Sequence, residues 1–241
     1  MHWAEYRTNS RKAKLHLGFN LNRGIPGTLV LTEGKKAERP LVSQLVEPGQ
    51  TAVLDRGDQA HHLFDQWQSE GRHFVCRIKG ATRKKVIEAY PLVAIPHVFF
   101  DAQVVLGTSG VNQTEKPVRL VGYTVADKKY WIATDRFDLN AEQVVLVYKL
   151  RWNIEKFFGW WKQHLNVYHL FARSKNGLMV QILSGLITYL LLAISVTKNT
   201  VNPNPLFVCG NCATRSAMKL CCSGQQTLRN HGNDRTKNSE G

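Results

Sequence analysis

The chain has 241 residues, enough for one large domain with its own core, and a 43% hydrophobic, 10% aromatic composition that excludes a disordered chain. Its 32 Lys and Arg against 18 Asp and Glu give a net charge of +14, spread along the whole length, which points to a polyanionic partner. The start, Met1-His2-Trp3-Ala4-Glu5, has no signal-peptide architecture, so the cytoplasm is the expected compartment.

In chain order, residues 14–21 alternate apolar and polar at period two, as a half-buried strand does. Asn22-Arg23-Gly24 is a turn signal and 27–32 a second strand, which together predict a hairpin. A short helix is expected over 38–46, ended by Pro48-Gly49. Thr51-Ala52-Val53-Leu54 is a short apolar run of the buried-strand type, and it delivers Asp55-Arg56-Gly57 at its end. Helical spacing over 59–70 and renewed alternation over 73–79 complete an α/β pattern, a sheet packed by helices. Between 80 and 136 only β segments follow (98–106, 118–125 and 130–134), predicting a β-rich insertion. Residues 140–165 and 175–196 are helical in spacing.

The stretch 178–196 carries no charge over about the length that spans a bilayer. Its Gln181, Ser184, Gly185 and Thr188 make a buried helix of a soluble fold the better reading, with no membrane involved. Beyond 197 periodicity stops. The expected organisation is therefore a core segment 1–79, the insertion 80–136, a second core segment 137–196, and an unrelated, poorly ordered tail 197–241 that the fold can dispense with.

The most informative segment runs from Tyr148 to Gln163. On one helix, Tyr148, Arg151, Glu155 and Lys162 fall within an arc of about 60°. Val147, Leu150, Ile154, Phe157, Phe158, Trp161 and Leu165 occupy an adjoining arc of about 100°, the core face. One carboxylate, two cations and a phenol thus line the edge of the buried stripe. Geometry alone leaves two readings open, a functional site or a solvated ion-pair stripe with Arg151 and Glu155 as an i,i+4 pair.

The spacing Tyr-x2-Arg-x3-Glu-x6-Lys resembles the signature of the bacterial DDE transposases typified by the fourth-numbered insertion sequence, and Asp55-Arg56-Gly57 resembles that family's second aspartate. The similarity runs from about residue 5 to 196. It implies an RNase H-like core with a β-rich insertion and C-terminal helices. It also implies Asp55 and Glu155 as catalytic metal ligands for Mg²⁺ or Mn²⁺, and Tyr148, Arg151 and Lys162 as DNA-phosphate contacts. The implied activity is phosphodiester hydrolysis and strand transfer on double-stranded DNA, transposon ends and target, in a nucleoid-associated homodimeric synaptic complex. The chemistry suits these residue types: two divalent ions about 4 Å apart activate the nucleophile and stabilise the leaving oxygen, and Mg²⁺ prefers carboxylate ligands.

The first aspartate of the triad has no counterpart, because the chain begins inside the segment that follows it and residues 1–13 contain only Glu5 as an acid. The expectation is an N-terminally truncated, defective transposase domain with a gap in the sheet beside 14–21. A catalytically dead fragment that binds DNA or subunits and inhibits intact transposase is the alternative. A general nucleic-acid binder would explain the charge but not the spacing.

The remaining candidates weigh less. His61-His62 read as surface histidines, and Asp101, Asp135 and Asp138 as turn or surface acids. Asp58 brings a negative charge near Asp55, and Trp131 reads as core, with stacking on an extruded base as the family alternative. Cys209-x2-Cys212 with Cys221-Cys222 makes a poor zinc pattern in a stretch that lacks an apolar framework.

Overall fold

The computed structural model describes residues 5–7, 10, 11, 13–92, 97–165, 172, 174–199 and 216–220. The hairpin expected near the N-terminus is present: β3 (Ala13–Asn20) pairs antiparallel with β4 (Ile25–Glu33), and Gly24 closes the turn at φ +65°. Ahead of it, among the described residues, β1 (Glu5–Arg7) pairs only with β2 (Ser10–Arg11), apart from the main sheet. The predicted helix over 38–46 is a 3-10 turn, Arg39–Leu41, leading into one α-turn, α1 (Val42–Leu45). Strand β5 (Thr51–Leu54) runs parallel to β6 (His73–Ile78), with α2 (His61–Ser69) between them in sequence.

The β segments of 80–136 form β7 (Lys84–Ala89), β8 (Val98–Leu106), β9 (Val118–Val125) and β10 (Lys128–Thr134), an antiparallel meander. They continue the same sheet, because β10 pairs antiparallel with β6. The nine-stranded order is β4-β3-β11-β5-β6-β10-β9-β8-β7, where β11 is Ser216–Leu220.

That last strand corrects two expectations. The position beside β3 is filled rather than open, since β11 pairs antiparallel with β3 and parallel with β5. Ser216–Leu220, within the stretch expected to be a tail, is thus paired on both sides in the sheet. The sequence gives little warning, because Ser-Ala-Met-Lys-Leu has no β-branched or aromatic residue. The pairing demand of two buried backbone edges overrides weak local propensity. Residues 200–215 and 221–241, with all four tail cysteines, lie outside the described residues.

Helices cover both faces of the sheet, and strand alternation divides the core into two. On one face, Leu17, Phe19, Val53, Val75 and Ile132 meet Val144, Ile154, Phe157 and Trp161 from the C-terminal helices. On the other, Ala52, Leu54, Phe74, Cys76 and Leu120 meet Leu45, Phe64 and Trp67 from α1 and α2. Phe64 stacks on Phe74 at 4.3 Å between ring centroids.

The expected continuous helix over 140–165 is two helices, α3 (Ala141–Leu150) and α4 (Trp152–Leu165), joined at Arg151. Asn140 starts α3 with a capping box, its side chain accepting from Gln143 N–H while Gln143 answers its own N–H. Arg151 keeps right-handed helical angles, and its N–H bonds the Tyr148 carbonyl three residues back, so the turn tightens there.

Helix α5 (Lys175–Asn199) is buried on one side only. Leu178, Ile182 and Leu186 enter the core, Gly185 lies against the Trp161 indole, and the Tyr189 hydroxyl donates to the Gly24 carbonyl at 3.1 Å. Val180, Ile187, Leu191 and Ile194 are exposed, so the expectation of a fully buried helix fails along that stripe. By length and composition alone, Lys175–Ser195 is also apolar enough to cross a membrane.

One glycine is fixed by its surroundings. Gly107 ends β8 at φ +95°, and a Cβ there would collide with the Asn112 carbonyl and come within 2.8 Å of His61 Nδ1. Gly107→Ala is expected to cost about 1–3 kcal/mol, read as a lower urea midpoint at unchanged slope. Wild-type stability in this variant would mean that the 107–113 loop is not held as described.

Candidate active site

Asp55 leaves the carboxyl end of β5, between two cores that fix the strand from both sides. The chain then tightens into a 3-10 turn, Arg56–Asp58, with Asp58 N–H donating to the Asp55 carbonyl at 2.9 Å. This turn holds the Asp55 side chain at the carboxyl end of the parallel strands, about a third exposed at 35%. The parallel register pairs Leu54 with Cys76, so the next residue along β6, Arg77, lies beside Asp55. Its Nη1 is 4.0 Å from Asp55 Oδ1, and its guanidinium lies over the Tyr130 ring at 4.7 Å.

The α3–α4 junction supplies the opposite wall. Tyr148 is buried against the core, yet its hydroxyl reaches Asp55 Oδ1 as a donor at 3.2 Å. Burial, followed by the Asp55 charge, pushes the phenol well above its ordinary value, so Tyr148 keeps its proton and remains a donor. Arg151 Nη1 donates to Glu155 Oε1 at 2.7 Å, and its guanidinium sits 5.9 Å from the Tyr148 ring centroid. Burial opposes the charge on Arg151, but the Glu155 hydrogen bond and the nearby Tyr148, Glu155 and Asp55 outweigh it and hold the guanidinium above its usual range. Asp55, Tyr148, Arg151 and Glu155 thus form one connected cluster, although 100 residues separate the two carboxylates. Lys162 lies seven residues past Glu155, two turns along α4 and partly buried.

The i,i+4 ion pair that sequence geometry left open is present, and it is one edge of this cluster rather than an isolated stripe. Arg77 was missed. The one available signal was a lone charge in the otherwise apolar run Phe74-Val75-Cys76-Arg77-Ile78.

The donor chemistry suits a hard divalent cation. Hydrogen bonds engage Oδ1 of Asp55 and Oε1 of Glu155, which leaves the second oxygen of each carboxylate for a metal. Among the described residues no group of three His, Cys, Asp or Glu is placed to hold a metal ion, so Asp55 and Glu155 are the two carboxylates of this cluster. Glu5 lies on β1, outside the nine-stranded sheet.

Two of the other acids, Asp101 and Asp135, take structural roles, against expectation. Asp101 is buried and paired with Arg119 through bonds of 2.8 and 2.6 Å. Asp135 accepts from Phe74 N–H and pairs with His73 Nδ1, each at 2.8 Å, and its burial raises its pKa. Asp138 is exposed, as expected, and pairs with Arg136. Asp58 is buried. Of the two adjacent histidines, His62 is on the surface but His61 is buried, with Nδ1 2.6 Å from the Asn112 carbonyl. Trp131 packs edge-on between Phe99 and Phe100 at 5.1 and 5.2 Å, in keeping with a packing role.

The family described as "Transposase DDE domain" matches residues 2–191. A probable transposase for an insertion sequence element of Geobacillus stearothermophilus is 28% identical over 211 residues, 86% of this chain and 56% of that protein. A putative transposase of Sinorhizobium fredii is 25% identical, covering 83% of this chain and 58% of its own length. A putative insertion-sequence transposase of Synechocystis is 27% identical, over 77% of this chain and 54% of that protein. The chain spans little more than half the length of these curated relatives. With the match covering both halves of the Asp55–Glu155 cluster, the chain belongs to the transposase DDE domain family.

Proposed function

We propose that the chain is the catalytic-core portion of a DNA transposase with RNase H-like topology, acting on double-stranded DNA in the bacterial cytoplasm at the nucleoid. The Asp55–Tyr148–Arg151–Glu155 cluster carries this reading, since it joins the two halves of the family signature at the carboxyl end of the parallel strands. The order hairpin, β11, then parallel β5 and β6, with helices on both faces, supports the RNase H-like assignment. In this reading 80–136 is an insertion that extends the core sheet, and 137–196 returns to the core.

Asp55 and Glu155 are the residues that would hold Mg²⁺ or Mn²⁺. When bound there, such ions lower the pKa of the attacking water or 3′-hydroxyl and offset charge on the scissile phosphate. The protein's own groups prepare the site. Tyr148 holds the Asp55 carboxylate by hydrogen bond, and Arg151 anchors Glu155 while keeping further N–H donors for a phosphate oxygen. Arg77 offsets carboxylate repulsion beside Asp55, and Lys162 adds a point charge along the path of the strand.

With two carboxylates in the set, the chain by itself binds DNA but cleaves it poorly. The test is a Mg²⁺ or Mn²⁺ cleavage assay on a duplex carrying the terminal repeat of the source element, alongside a salt titration of binding. Cleavage is expected to be absent or at trace level. Binding should weaken steeply with salt, and Arg151→Ala with Lys162→Ala should lower the slope by roughly two phosphate contacts. Robust cleavage abolished by Glu155→Gln would show that a third acid reaches the site and that the chain is competent. A wild-type chain that binds no DNA would end the reading. The two-carboxylate set also favours an inhibitory role, in which this chain occupies DNA ends and slows an intact transposase mixed with it.

A further inference from the structure

A concavity of about 830 Å³ opens beside Gln59 and Ala60, just past the Asp55 turn. Arg39, Lys79 and Arg83 line it together with His62, and no Asp or Glu contributes to the wall. Lys79 and Arg83 are exposed, and neither forms an ion pair with a described carboxylate. Arg39 ties the cleft to the active-site loop, its Nε donating to the Gly57 carbonyl at 3.1 Å.

The floor is held in place by hydrogen bonds. Gln59 Oε1 accepts from Lys79 N–H at 2.8 Å, and its Nε2 donates to Thr82 Oγ1 at 2.9 Å and to His61 Nε2 at 3.0 Å. His61 Nδ1 bonds the Asn112 carbonyl, which can only accept, so the proton sits on Nδ1 and Nε2 is the acceptor. The His61 imidazole therefore links Gln59, just past the Asp55 turn, to the 107–113 loop, while Gln59 itself holds the 79–83 segment. Helix α2 begins at this wall with Ala60 as its N-cap and no side-chain cap, adding the positive end of its dipole. Three cations, a helix start and a rigid polar floor without opposing acids make a preorganised anion track.

We infer that this cleft is a second DNA-backbone site, which holds two or three phosphates of the duplex as it leaves the Asp55 turn. The inference rests on the proposed DNA-processing function and adds a binding surface formed by the Asp55 turn, β6 and the base of the meander. The occupant is a phosphodiester chain rather than a single anion, because the cations are spaced around an open groove whose wall residue Arg39 is bonded to Gly57 of the Asp55 turn.

The test is fluorescence anisotropy with a labelled duplex of arbitrary sequence, titrated with salt against four proteins. These are wild type, Lys79→Ala with Arg83→Ala, Arg151→Ala with Lys162→Ala, and Arg23→Ala with Lys116→Ala. The last pair removes equal charge from the opposite end of the sheet and the far end of α2. The cleft pair is expected to lower the salt slope by about two and the affinity at least tenfold, with the melting temperature unchanged, while the control pair moves it far less. Charge reversal, Lys79→Glu with Arg83→Glu, should deepen the loss. A wild-type slope in the cleft pair, with a reduced slope in the Arg151–Lys162 pair, would overturn the cleft and spare the active site. Equal losses in cleft and control pairs would show diffuse charge instead. Absence of wild-type binding would overturn both this site and the function it rests on.

Discussion

Arg119→Leu is expected to lower the free energy of unfolding by about 3–5 kcal/mol, the usual cost of breaking a buried ion pair from one side. Arg119, at the start of β9, and Asp101, in the middle of β8, are 8% and 7% exposed, so the orphaned carboxylate would be left buried. The guanidinium makes two bonds to Asp101 and a third to the Leu139 carbonyl at the entry to α3, so its loss also leaves a buried backbone acceptor bare. The hydrogen bond to Asp101 raises the Arg119 pKa, in line with a pair that stays ionised. The double variant Arg119→Leu with Asp101→Leu should recover much of the loss, because apolar side chains of similar reach remove the desolvation cost from both sides. Urea denaturation of the two variants and wild type decides it. A single variant within about 1 kcal/mol of wild type, or a double variant no better than the single, would mean that the pair does not hold the meander to α3.

What the sequence made legible follows from the range of the interactions involved. The β3–β4 hairpin, the strand that delivers Asp55, helix α2 and the helix bearing Glu155 each follow from a local period of two or 3.6, a turn signal or a cap. Two of those elements carry Asp55 and Glu155, which the resemblance to the transposase signature, and not the local period, singled out as candidate carboxylates. Arg77 could not be named in advance, because its place beside Asp55 depends on the parallel register that pairs Leu54 with Cys76. The Asp101–Arg119 pair was missed for the same reason. Asp101 opposes Val121 and Arg119 opposes Gln103, so the two meet diagonally on one face only once β8 and β9 are in register. Read without a register, each is an acid or a base near a turn. Asp135 looked like a loop acid, yet it supplies an acceptor to Phe74 N–H at the start of β6, a demand set by the sheet and not by neighbouring residues. His61 was read as a surface residue because its partner, the Asn112 carbonyl, is 51 residues away.

A chain ending at Asn199 is expected to lose its cooperative unfolding transition, which reverses what the composition of the last 45 residues suggests. Strand β11 is the only described link between the β4–β3 hairpin and β5 within the sheet. Its register matches Ala217 to Asn20 and Leu220 to Leu17 on one side, and Ser216 to Thr51 and Ala217 to Ala52 on the other. The residues it bridges are core residues: Leu17 and Ala52 are 0% and 1% exposed. Removing the strand would leave two edges facing each other across a gap, with several backbone N–H and C=O groups buried and unpaired. Each such group costs about 1–3 kcal/mol, so a handful matches the whole stability of an ordinary domain. Repair by closing the gap is blocked by geometry, because neighbouring strands sit about 4.8 Å apart and the hairpin would have to move by that distance. The hairpin also carries Phe19, which packs on Phe157 of α4 at 5.2 Å, so its displacement would disturb the helix that holds Glu155. Thermal unfolding followed by circular dichroism, with dye binding to exposed apolar surface, gives the readout: the truncated chain should melt broadly and bind dye before melting. Met218→Pro in the full chain should reproduce part of the loss by removing one ladder donor. Adding a synthetic peptide that contains Ser216–Leu220 should sharpen the transition of the truncated chain again. A truncated chain that melts as sharply and as high as the full one would show that β11 is not what joins β3 to β5.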